Sequence, residues 1–519
     1  MTFKNQISNL IKVDRNRTST SGRKNPTLLT ESLSDKGRLL YSAAFRRLQS
    51  KAQVFSLESN AAVRSRLTHS LEVAHIGRYL VDSIVRKIDI LKEGPCEGIE
   101  EDIAFWKKES AAIANLVEVS CLMHDIGNPP FGHFGEAAIK NWATSEGLKN
   151  CLKLALNLGE IQKEHNNLIA DFKMFDGNPQ GLRIITKLQG DDALNGLNLT
   201  YSQILSLLKY THSHQDVDPS QKDIPFKKKI GYFTTEKEIV TNAWKSLEMN
   251  GNTRHPLSFL MEAADDISYC ISDIEDGLEK KIITEEVFFN EIKNELNKMK
   301  NDSLLEEIIK VLDEKQSAES SISKFLLFKT TLTNSLVERT ATTFIAQYLA
   351  IKDGDLEVPL ISEKHLEIEY KILEALRKFT TKHLFSSDEA ETIELSGYSV
   401  ILGILEKYEP LLKLPQNDFG SLFGGELKGG KSSGTHIDLE RRLFNRLPEK
   451  HKNAYKAAIA GISALEPNFK WQFEKNFSDF NKQQEWKLRV HLILDFISGM
   501  TDQFSLEFYQ MLIGTNIKR

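Results

Sequence analysis

The residues with the clearest chemical potential lie in the segment HDIGNPPFGHFGE, residues 124–136. His124 and Asp125 follow an apolar stretch typical of a helix, and the Gly-Asn-Pro-Pro turn after them prevents the helix from continuing. An imidazole and a carboxylate side by side at a helix end are suitable ligands for a divalent metal ion. The alternative is a structural role, in which Asp125 caps the turn and His124 packs in the core.

Two further segments supply side chains of the same kind. RSRLTHSLEVAHIGRYL (64–80) carries His69 on a predicted helix, and EAADDISYCISDIEDG (262–277) carries an acidic pair inside an otherwise apolar helix. A carboxylate on an apolar helix face is costly to bury unless it is paired or bound to a metal ion. The candidate set of metal ligands is therefore His69, His124, Asp125 and Asp265.

The acidic helix also presents a stripe of polar side chains. Asp265, Tyr269 and Asp273 stand at i, i+4 and i+8, so they lie on one face of the helix and project into the same cleft. This stripe predicts that the two carboxylates and the phenol serve one site.

Helical patterns dominate the elements that must position these residues. Residues 111–127, 257–278 and 399–414 each repeat apolar side chains at intervals of three and four, and residues 285–312 have the composition of charged surface helices. Alternating strand patterns are few, although a short hairpin around IGYFTT (230–235) is an alternative there. The sequence therefore predicts an all-α fold.

Composition excludes several classes of protein. The 519 residues are 40% apolar and 27% charged, and no window approaches the roughly 18 apolar residues of a membrane span. The first twenty residues lack the apolar core of a secretory signal, which indicates a cytoplasmic protein, and the four cysteines form no CxxC motif. A net charge of −5 gives no general footprint for nucleic acid, so a polyanion must be bound by local basic residues.

A Gly- and Ser-rich segment, residues 416–438, predicts a long mobile loop. Within it GELKGGKS (425–432) matches the pattern of a phosphate-binding P-loop letter for letter. A P-loop needs a buried strand before it and a helix after it, because the helix N-terminus and backbone amides bind the phosphate. No strand pattern precedes this segment, so we interpret the match as fortuitous.

Beyond the candidate ligands, seven segments in one order resemble the HD-domain superfamily and, within it, the deoxyguanosine triphosphate triphosphohydrolases. The segments are FRRLQSKAQVF (45–55), RLTHSLEV (66–73), HDIGNPPFGHFGE (124–136), FDGNPQGLRI (175–184), LLKYTH (207–212), EAADDISY (262–269) and FISGMTD (496–502). The resemblance implies an HD core over about residues 31–290, with an N-terminal extension (1–30) and a C-terminal helical region (291–519) that completes the site and makes oligomer contacts.

The resemblance implies that His69, His124, Asp125 and Asp265 hold the metal ion, Mn²⁺ or Mg²⁺. Asp265 is preferred to Asp266 because the family's metal-binding aspartate stands four residues before the tyrosine of the site. The metal ion would polarise an α-phosphate oxygen and position a water for attack.

His133 and Glu136 form the candidate acid/base dyad. Their i, i+3 spacing lets the carboxylate orient the imidazole. The family assigns a catalytic role to this histidine, which we interpret as protonation of the leaving 5′ oxygen while water attacks the α-phosphorus. The alternative is a structural histidine on a Gly-rich turn.

Substrate contacts are implied by the resemblance residue by residue. Gln53 and Asp273 match positions that bind the 3′ hydroxyl, and Tyr269 matches one that lies against the sugar, where a packed ring penalises a 2′ hydroxyl. Arg489 stands where the family places a residue that completes the site or a neighbour's site. The segments expected at the triphosphate contribute Arg66, Asn178, Lys209, Tyr210 and Lys229.

The predicted activity is hydrolysis of dGTP to deoxyguanosine and triphosphate, and the choice of dGTP depends on the resemblance alone. The resemblance also implies a homo-oligomer, a hexamer or a tetramer, and leaves open a nucleotide effector and single-stranded DNA as ligands. Two alternative functions stay open: another HD-type phosphohydrolase or phosphodiesterase, and a nucleotide or single-stranded-DNA sensor without turnover.

Overall fold

The computed structural model of the chain describes residues 6–19, 25–93, 99–216, 225–300, 302–313, 323–424 and 437–516. Regular structure within these ranges is helical, without a strand. Extended backbone pairs there only as isolated bridges between Arg15 and Thr200 and between Ala52 and Ser65. The prediction of an all-α fold is confirmed.

The helices follow one another with connections of very different length. Up to residue 173 they are α1 (Ile7–Leu10), α2 (Leu28–Leu40), α3 (Ala43–Arg47), α4 (Arg66–Lys87), α5 (Ile99–Lys108), α6 (Ser110–Met123), α7 (Gly132–Thr144), α8 (Glu146–Leu156) and α9 (Asn166–Lys173). The middle of the chain forms α10 (Gly177–Arg183), α11 (Tyr201–Leu207), α12 (Lys237–Ser246), α13 (Pro256–Glu279), α14 (Glu285–Leu296), α15 (Ser303–Asp313), α16 (Lys324–Ala346) and α17 (Tyr348–Asp353).

The C-terminal part consists of longer helices with short ones between them. These are α18 (Glu367–Thr380), α19 (Asp388–Lys413), α20 (Gln416–Ser421), α21 (Asp438–Asn445), α22 (Glu449–Ala460), α23 (Phe469–Phe477), α24 (Lys482–Ser498) and α25 (Asp502–Leu512). Single 3₁₀ or π-helical turns lie at Leu48–Ser50, Ile88–Glu93, Lys163–His165, Ile184–Leu188, Pro225–Lys227, Thr234–Glu236 and Thr381–Phe385. None of the described helices combines the length and apolar character needed to span a lipid bilayer.

The strongest helical patterns correspond to α6, α13 and the second half of α19, and residues 285–312 form α14 and α15. The alternative of a short hairpin around residues 230–235 does not hold, because these residues form no strand. The prediction of a loop is wrong for residues 416–421, which form α20. Residues 425–436, which include the GELKGGKS segment, lie outside the described residues.

Buried apolar side chains form two clusters. The first cluster is built from α4, α6, α13, α16 and α18, and the second from α7, α8, α9, α19, α22 and α24. The boundary between them passes through the HDIGNPPFGHFGE segment, because Ile126 belongs to the first cluster and Phe131 to the second. The candidate metal ligands and the candidate dyad are therefore carried by different clusters.

Two of the site-bearing helices have well-defined starts. At α4, Thr68 N–H donates to Ser65 Oγ while Ser65 N–H donates to Thr68 Oγ, which is a capping box. At α13, Pro256 occupies the first turn, where its missing N–H costs nothing. These caps fix where each helix begins and therefore which side chains face the space between the clusters.

Candidate active site

A cavity of about 630 Å³ lies between the two clusters, a size within the range of small-molecule sites. It is enclosed by the start of α4, the turn after α6, the start of α7 and parts of α10 and α13. The predicted residues that line it are Gln53, Arg66, His124, Asp125, His133, Glu136, Asn178, Lys209, Tyr210, Lys229, Asp265 and Tyr269. Segments far apart in the chain thus converge on one cavity.

Three predicted metal ligands form a tight group beside this cavity. One donor atom each from His69, His124 and Asp265 lie within 4.8 Å of one another. Asp265 Oδ1 is 3.3 Å from His69 Nε2 and 3.5 Å from His124 Nε2. The other ring nitrogen of His124, Nδ1, lies 2.7 Å from the Cys121 carbonyl oxygen, so Nδ1–H donates to that oxygen and Nε2 is the ring nitrogen that faces Asp265.

Asp125 lies next to this group but is already engaged. Its Oδ2 accepts a hydrogen bond from Arg66 Nη1 at 2.6 Å, and its Oδ1 accepts one from Asn128 Nδ2 at 2.7 Å. The distance from Oδ1 to His124 Nε2 is 3.6 Å. Asp125 can therefore complete a metal site by sharing Oδ1, and its role as fourth ligand stays a prediction.

The charges in this group explain its pKa shifts. Burial alone would raise the pKa of Asp265, but His124 and the hydrogen bond from His69 hold it well below its usual range. Burial alone would lower the pKa of His124, but Asp125 and Asp265 raise it. The carboxylates thus stay ionised at neutral pH, and the donor set of two imidazoles and carboxylates fits a divalent cation.

The candidate dyad lies at the start of α7. The His133 side chain is 83% exposed and Glu136 is buried; His133 Nδ1 lies 3.3 Å from Glu136 Oε2. Glu136 Oε1 accepts a hydrogen bond from the backbone N–H of Gly177 at 2.8 Å. Glu136 is therefore anchored by α10 and can orient the accessible imidazole, which leaves His133 Nε2 for a substrate.

The backbone of the turn that follows α6 lies directly against the backbone of α10. A Cβ atom added at Gly127 would lie 2.0 Å from the Gly177 carbonyl oxygen and 2.1 Å from the Gly181 nitrogen, and neither backbone atom can move away alone. Only glycine permits this approach, which connects the segment carrying His124 to the helix that anchors Glu136.

Gly127→Ala is expected to destabilise the protein by about 2 to 3 kcal/mol, because the added methyl group overlaps backbone atoms. Thermal unfolding followed by circular dichroism measures this as a lower midpoint. The matched control is Gly37→Ala in α2, where an added Cβ has no atom within 4 Å. The control should leave the midpoint unchanged or raise it, and equal midpoints for the two variants would contradict the close packing.

Positive side chains around the cavity are held by carboxylates. Lys209 Nζ lies 3.3 Å from Glu262 Oε1, and Lys229 Nζ lies 2.6 Å from Asp176 Oδ2. Burial alone would lower the pKa of Lys209, but Glu262 raises it, so the ammonium group stays charged. These ion pairs hold the two lysine side chains in the cavity wall, and their ammonium groups stay protonated.

Tyr269 lines the cavity, with its ring centroid 6.5 Å from that of His69. One turn further along α13, Asp273 is fully buried, and neither of its carboxylate oxygens has a hydrogen-bond partner among the described residues. Gln53 Oε1 also lacks a partner there. Burial raises the pKa of Asp273 well above its usual range, which favours the neutral form of its carboxyl group.

Comparison with known proteins places these observations in a family. Residues 66–172 match the HD domain. The chain is 36% identical over 504 residues to the deoxyguanosinetriphosphate triphosphohydrolases of Yersinia enterocolitica and Serratia proteamaculans, with 93% of both chains covered in each case. It is 35% identical over 503 residues to the enzyme of the same name from Yersinia pseudotuberculosis, again with 93% of both chains covered.

This chain belongs to the deoxyguanosinetriphosphate triphosphohydrolase family. Its HD-domain match contains His69, His124 and Asp125 together with the dyad, whereas Asp265 lies beyond the matched range. The structure brings Asp265 to the two histidines across the first cluster, so the donor group is assembled from α4, the residue that follows α6, and α13.

The structure also places residues in the cavity that sequence reasoning missed. Arg377 of α18 lines it and donates from Nη2 to Asp266 Oδ1 at 2.8 Å. Burial raises the pKa of Asp266, and the nearby Glu262 raises it further. The remaining unforeseen lining includes Val54, Phe134, Phe385, Ile393 and Glu394. No motif marks Arg377, because it is one basic residue on an amphipathic helix.

The placement of Arg489 requires a correction. Its side chain is buried in the second cluster, where Nε and Nη2 donate to the carboxylate of Glu485 and Nη1 donates to the carbonyl oxygens of Leu411 and Leu414. Its guanidinium also lies over the ring of Phe419. Arg489 is therefore buried away from the cavity, and the structure does not support a place for it in the site.

Proposed function

We propose that this protein hydrolyses dGTP to deoxyguanosine and triphosphate in a reaction that requires a divalent cation. The observation that carries the proposal is that the three-residue donor group, the His133–Glu136 pair and the cationic side chains surround one cavity. The relatives that carry the name of this activity match nearly the whole chain, which supports the choice of dGTP.

His69, His124 and Asp265 would hold the cation, with Asp125 beside them, and we propose Mn²⁺ or Mg²⁺. A bound cation supplies Lewis-acid polarisation and charge neutralisation at the α-phosphate. The chain contributes the geometry, because the hydrogen bond from His124 Nδ1 to the Cys121 carbonyl oxygen leaves Nε2 as the nitrogen that can bind the cation.

His133 would supply the proton that the leaving nucleoside needs. Expulsion of an unprotonated 5′ alkoxide is unfavourable, so a proton donor at that oxygen lowers the barrier as water attacks the α-phosphorus. Glu136 holds Nδ1 and is itself held by the Gly177 amide, which leaves Nε2 as the nitrogen that can reach the 5′ oxygen.

The triphosphate would be bound by the positively charged side chains of the cavity wall. Charge-assisted hydrogen bonds to phosphate oxygens are strong, and a guanidinium can make two of them. Arg66 is directed into this region, since its Nη2 lies 2.8 Å from where a Cβ on Gly132 would be. The proposed triphosphate contacts are Arg66, Asn178, Lys209, Tyr210, Lys229 and Arg377.

The sugar would lie against Tyr269, with Gln53 and Asp273 at its 3′ hydroxyl. Gln53 Oε1 and the Asp273 carboxyl group are buried polar groups without partners, and burial of such groups is costly unless a ligand satisfies them. The raised pKa of Asp273 favours a carboxyl group that can donate to the oxygen of the 3′ hydroxyl, whereas Gln53 Oε1 can accept the proton of that hydroxyl.

Tyr269→Ala is expected to reduce the preference for dGTP over GTP by about tenfold, because the space left by the ring accommodates a 2′ hydroxyl. Values of kcat/KM for the two nucleotides measure this ratio. Tyr41→Ala is the control, because that side chain is 83% exposed and does not line the cavity. An unchanged ratio in Tyr269→Ala would remove this residue from sugar selection.

Product analysis tests the proposed function. The protein is incubated with each dNTP and with GTP, with Mn²⁺ or Mg²⁺ and with a chelator in parallel, and the products are separated by anion exchange. Deoxyguanosine with intact triphosphate, formed fastest from dGTP and absent with chelator, is the expected result. Formation of phosphate or pyrophosphate, or no reaction with any nucleotide, would reject the proposal.

On the resemblance alone we also propose a homo-oligomer, a hexamer or a tetramer, in the cytoplasm. A nucleotide effector and single-stranded DNA stay predictions of the same kind. Size-exclusion chromatography with light scattering measures the oligomer directly.

A further inference from the structure

One carboxylate at the C-terminal end of the chain contacts two distant backbone segments of the cavity. Asp502, the first residue of α25, is 3% exposed. Its Oδ1 accepts a hydrogen bond from Phe131 N–H at 3.1 Å, and its Oδ2 accepts one from Ala52 N–H at 3.0 Å. Both carboxylate oxygens thus accept hydrogen bonds from backbone amides that lie more than 370 residues away in the sequence.

Each of these amides directly precedes a site segment. Phe131 has a left-handed backbone, φ +59°, and stands before Gly132 and His133 at the start of α7. Ala52 stands before Gln53 and pairs with Ser65, the N-cap of α4. The same carboxylate therefore holds the turn that presents the proton donor and the segment that leads to the candidate metal helix.

A second contact strengthens this junction. Lys51 Nζ donates to the Asn128 carbonyl oxygen at 2.5 Å and to the Ser498 carbonyl oxygen at 2.8 Å, and Lys51 is buried. Asn128 is the residue whose side chain donates to Asp125. The junction between α24 and α25 is thus hydrogen-bonded to the segments on both sides of the cavity.

A role in starting α25 does not account for Asp502. The N-cap of that helix is Thr501, whose Oγ accepts a hydrogen bond from Phe504 N–H. The carboxylate oxygens of Asp502 accept from Phe131 N–H and Ala52 N–H, and among the described residues neither accepts from a backbone N–H of α25. A buried carboxylate that accepts from two remote amides is better explained by the segments that it connects.

We propose that Asp502 is a positioning residue that fixes His133 of the second cluster relative to the metal-binding group of the first. The proposal rests on the proposed function and adds a requirement to it. A displacement of about 1 Å between reacting groups can cost on the order of 100-fold in rate. Loss of this double contact should therefore lower kcat without removing the cation-binding side chains.

The experiment uses Asp502→Asn in the full chain. The asparagine carbonyl can accept from one amide, but its NH₂ group cannot accept from the other. We expect kcat for dGTP to fall about 10- to 100-fold, while Mn²⁺ affinity changes less than threefold. The matched control is Asp102→Asn, a buried carboxylate that accepts from Ile7 N–H and pairs with Lys352 away from the cavity; its kcat should be unchanged.

A double-mutant cycle separates positioning from general destabilisation. If Asp502 acts through His133, Asp502→Asn should cost less than about threefold when introduced into His133→Ala, because the group that it positions is already gone. The same loss in both backgrounds would overturn the proposal. Asp502→Glu keeps the charge and both acceptors, so it serves in the same cycle if the asparagine variant does not fold.

Hydrogen–deuterium exchange provides a readout that does not depend on turnover. Peptides containing Ala52 and Phe131 should exchange faster in Asp502→Asn than in the wild type, whereas Asp102→Asn should not affect them. Unchanged exchange in both peptides would overturn the proposal. Absence of dGTP hydrolysis by the wild type would reject the proposed function instead, and the exchange result would still decide whether Asp502 holds the two segments.

Discussion

Asp265→Ala is expected to reduce the rate of dGTP hydrolysis by at least about 10³-fold. A bound cation lowers the activation barrier by several kcal/mol, and each 1.4 kcal/mol corresponds to about a factor of ten in rate. Asp265 is the member of the donor group that contacts both histidines. Its removal should also abolish Mn²⁺ binding, which isothermal titration calorimetry measures without any turnover.

Asp266→Ala is the informative comparison, because this residue is adjacent in sequence and also lines the cavity. Asp266 pairs with Arg377 and is not part of the three-residue donor group. We expect the Mn²⁺ affinity of Asp266→Ala to stay within about threefold of the wild-type value, whatever the effect of the substitution on KM. Loss of Mn²⁺ binding in Asp266→Ala together with retention in Asp265→Ala would reverse the assignment.

His133→Ala is expected to lower kcat by roughly 10²- to 10⁴-fold, the usual contribution of a positioned general acid. Mn²⁺ affinity should not change, because His133 is not part of the donor group. The two variants therefore have different signatures: Asp265→Ala loses the cation and the activity, whereas His133→Ala loses only the activity.

The leaving group provides the specific test of this role. A nitrophenolate needs little protonation to leave, so His133→Ala should hydrolyse bis(4-nitrophenyl) phosphate at a rate close to that of the wild type. A loss as large as the one observed with dGTP would show that His133 does something other than protonate the leaving oxygen.

The parts of the site that could be predicted from sequence are those in which residue type and local spacing carry the signal. The His-Asp pair, the i, i+4 pair of Asp265 and Tyr269 and the i, i+3 pair of His133 and Glu136 are local patterns on helices or at a helix end, and these residues line one cavity. Asp273, the third residue of the stripe, is fully buried and is not among the residues that line it. The helices themselves followed from periodicity, because their apolar faces are long and regular.

What could not be predicted depends on contacts between distant segments. A basic residue on a helix has the same local pattern whether it lines a cavity, like Arg377, or is buried against Glu485, like Arg489. The Gly- and Ser-rich composition of residues 416–438 suggested a loop, but at the start of this segment Gln416 donates to two backbone carbonyls and Phe419 is fully buried. Tertiary contacts therefore outweigh local propensity in α20.

The division of the site between two clusters was also invisible in the sequence. The three-residue donor group lies beside the first cluster and the His133–Glu136 pair beside the second, although His124 and His133 are only nine positions apart in the sequence. Alignment of the two then depends on the Gly127–Gly177 approach and on Asp502, neither of which has a local signature.

Hydrolysis of dGTP in ¹⁸O-labelled water tests the central claim most directly. Attack of water on the α-phosphorus with release of the 5′ oxygen places one ¹⁸O atom in the triphosphate and none in the deoxyguanosine, and mass spectrometry of the two products distinguishes them. We predict one label in an intact triphosphate, with no product in the presence of chelator. Label in deoxyguanosine, or label in phosphate or pyrophosphate, would contradict the account.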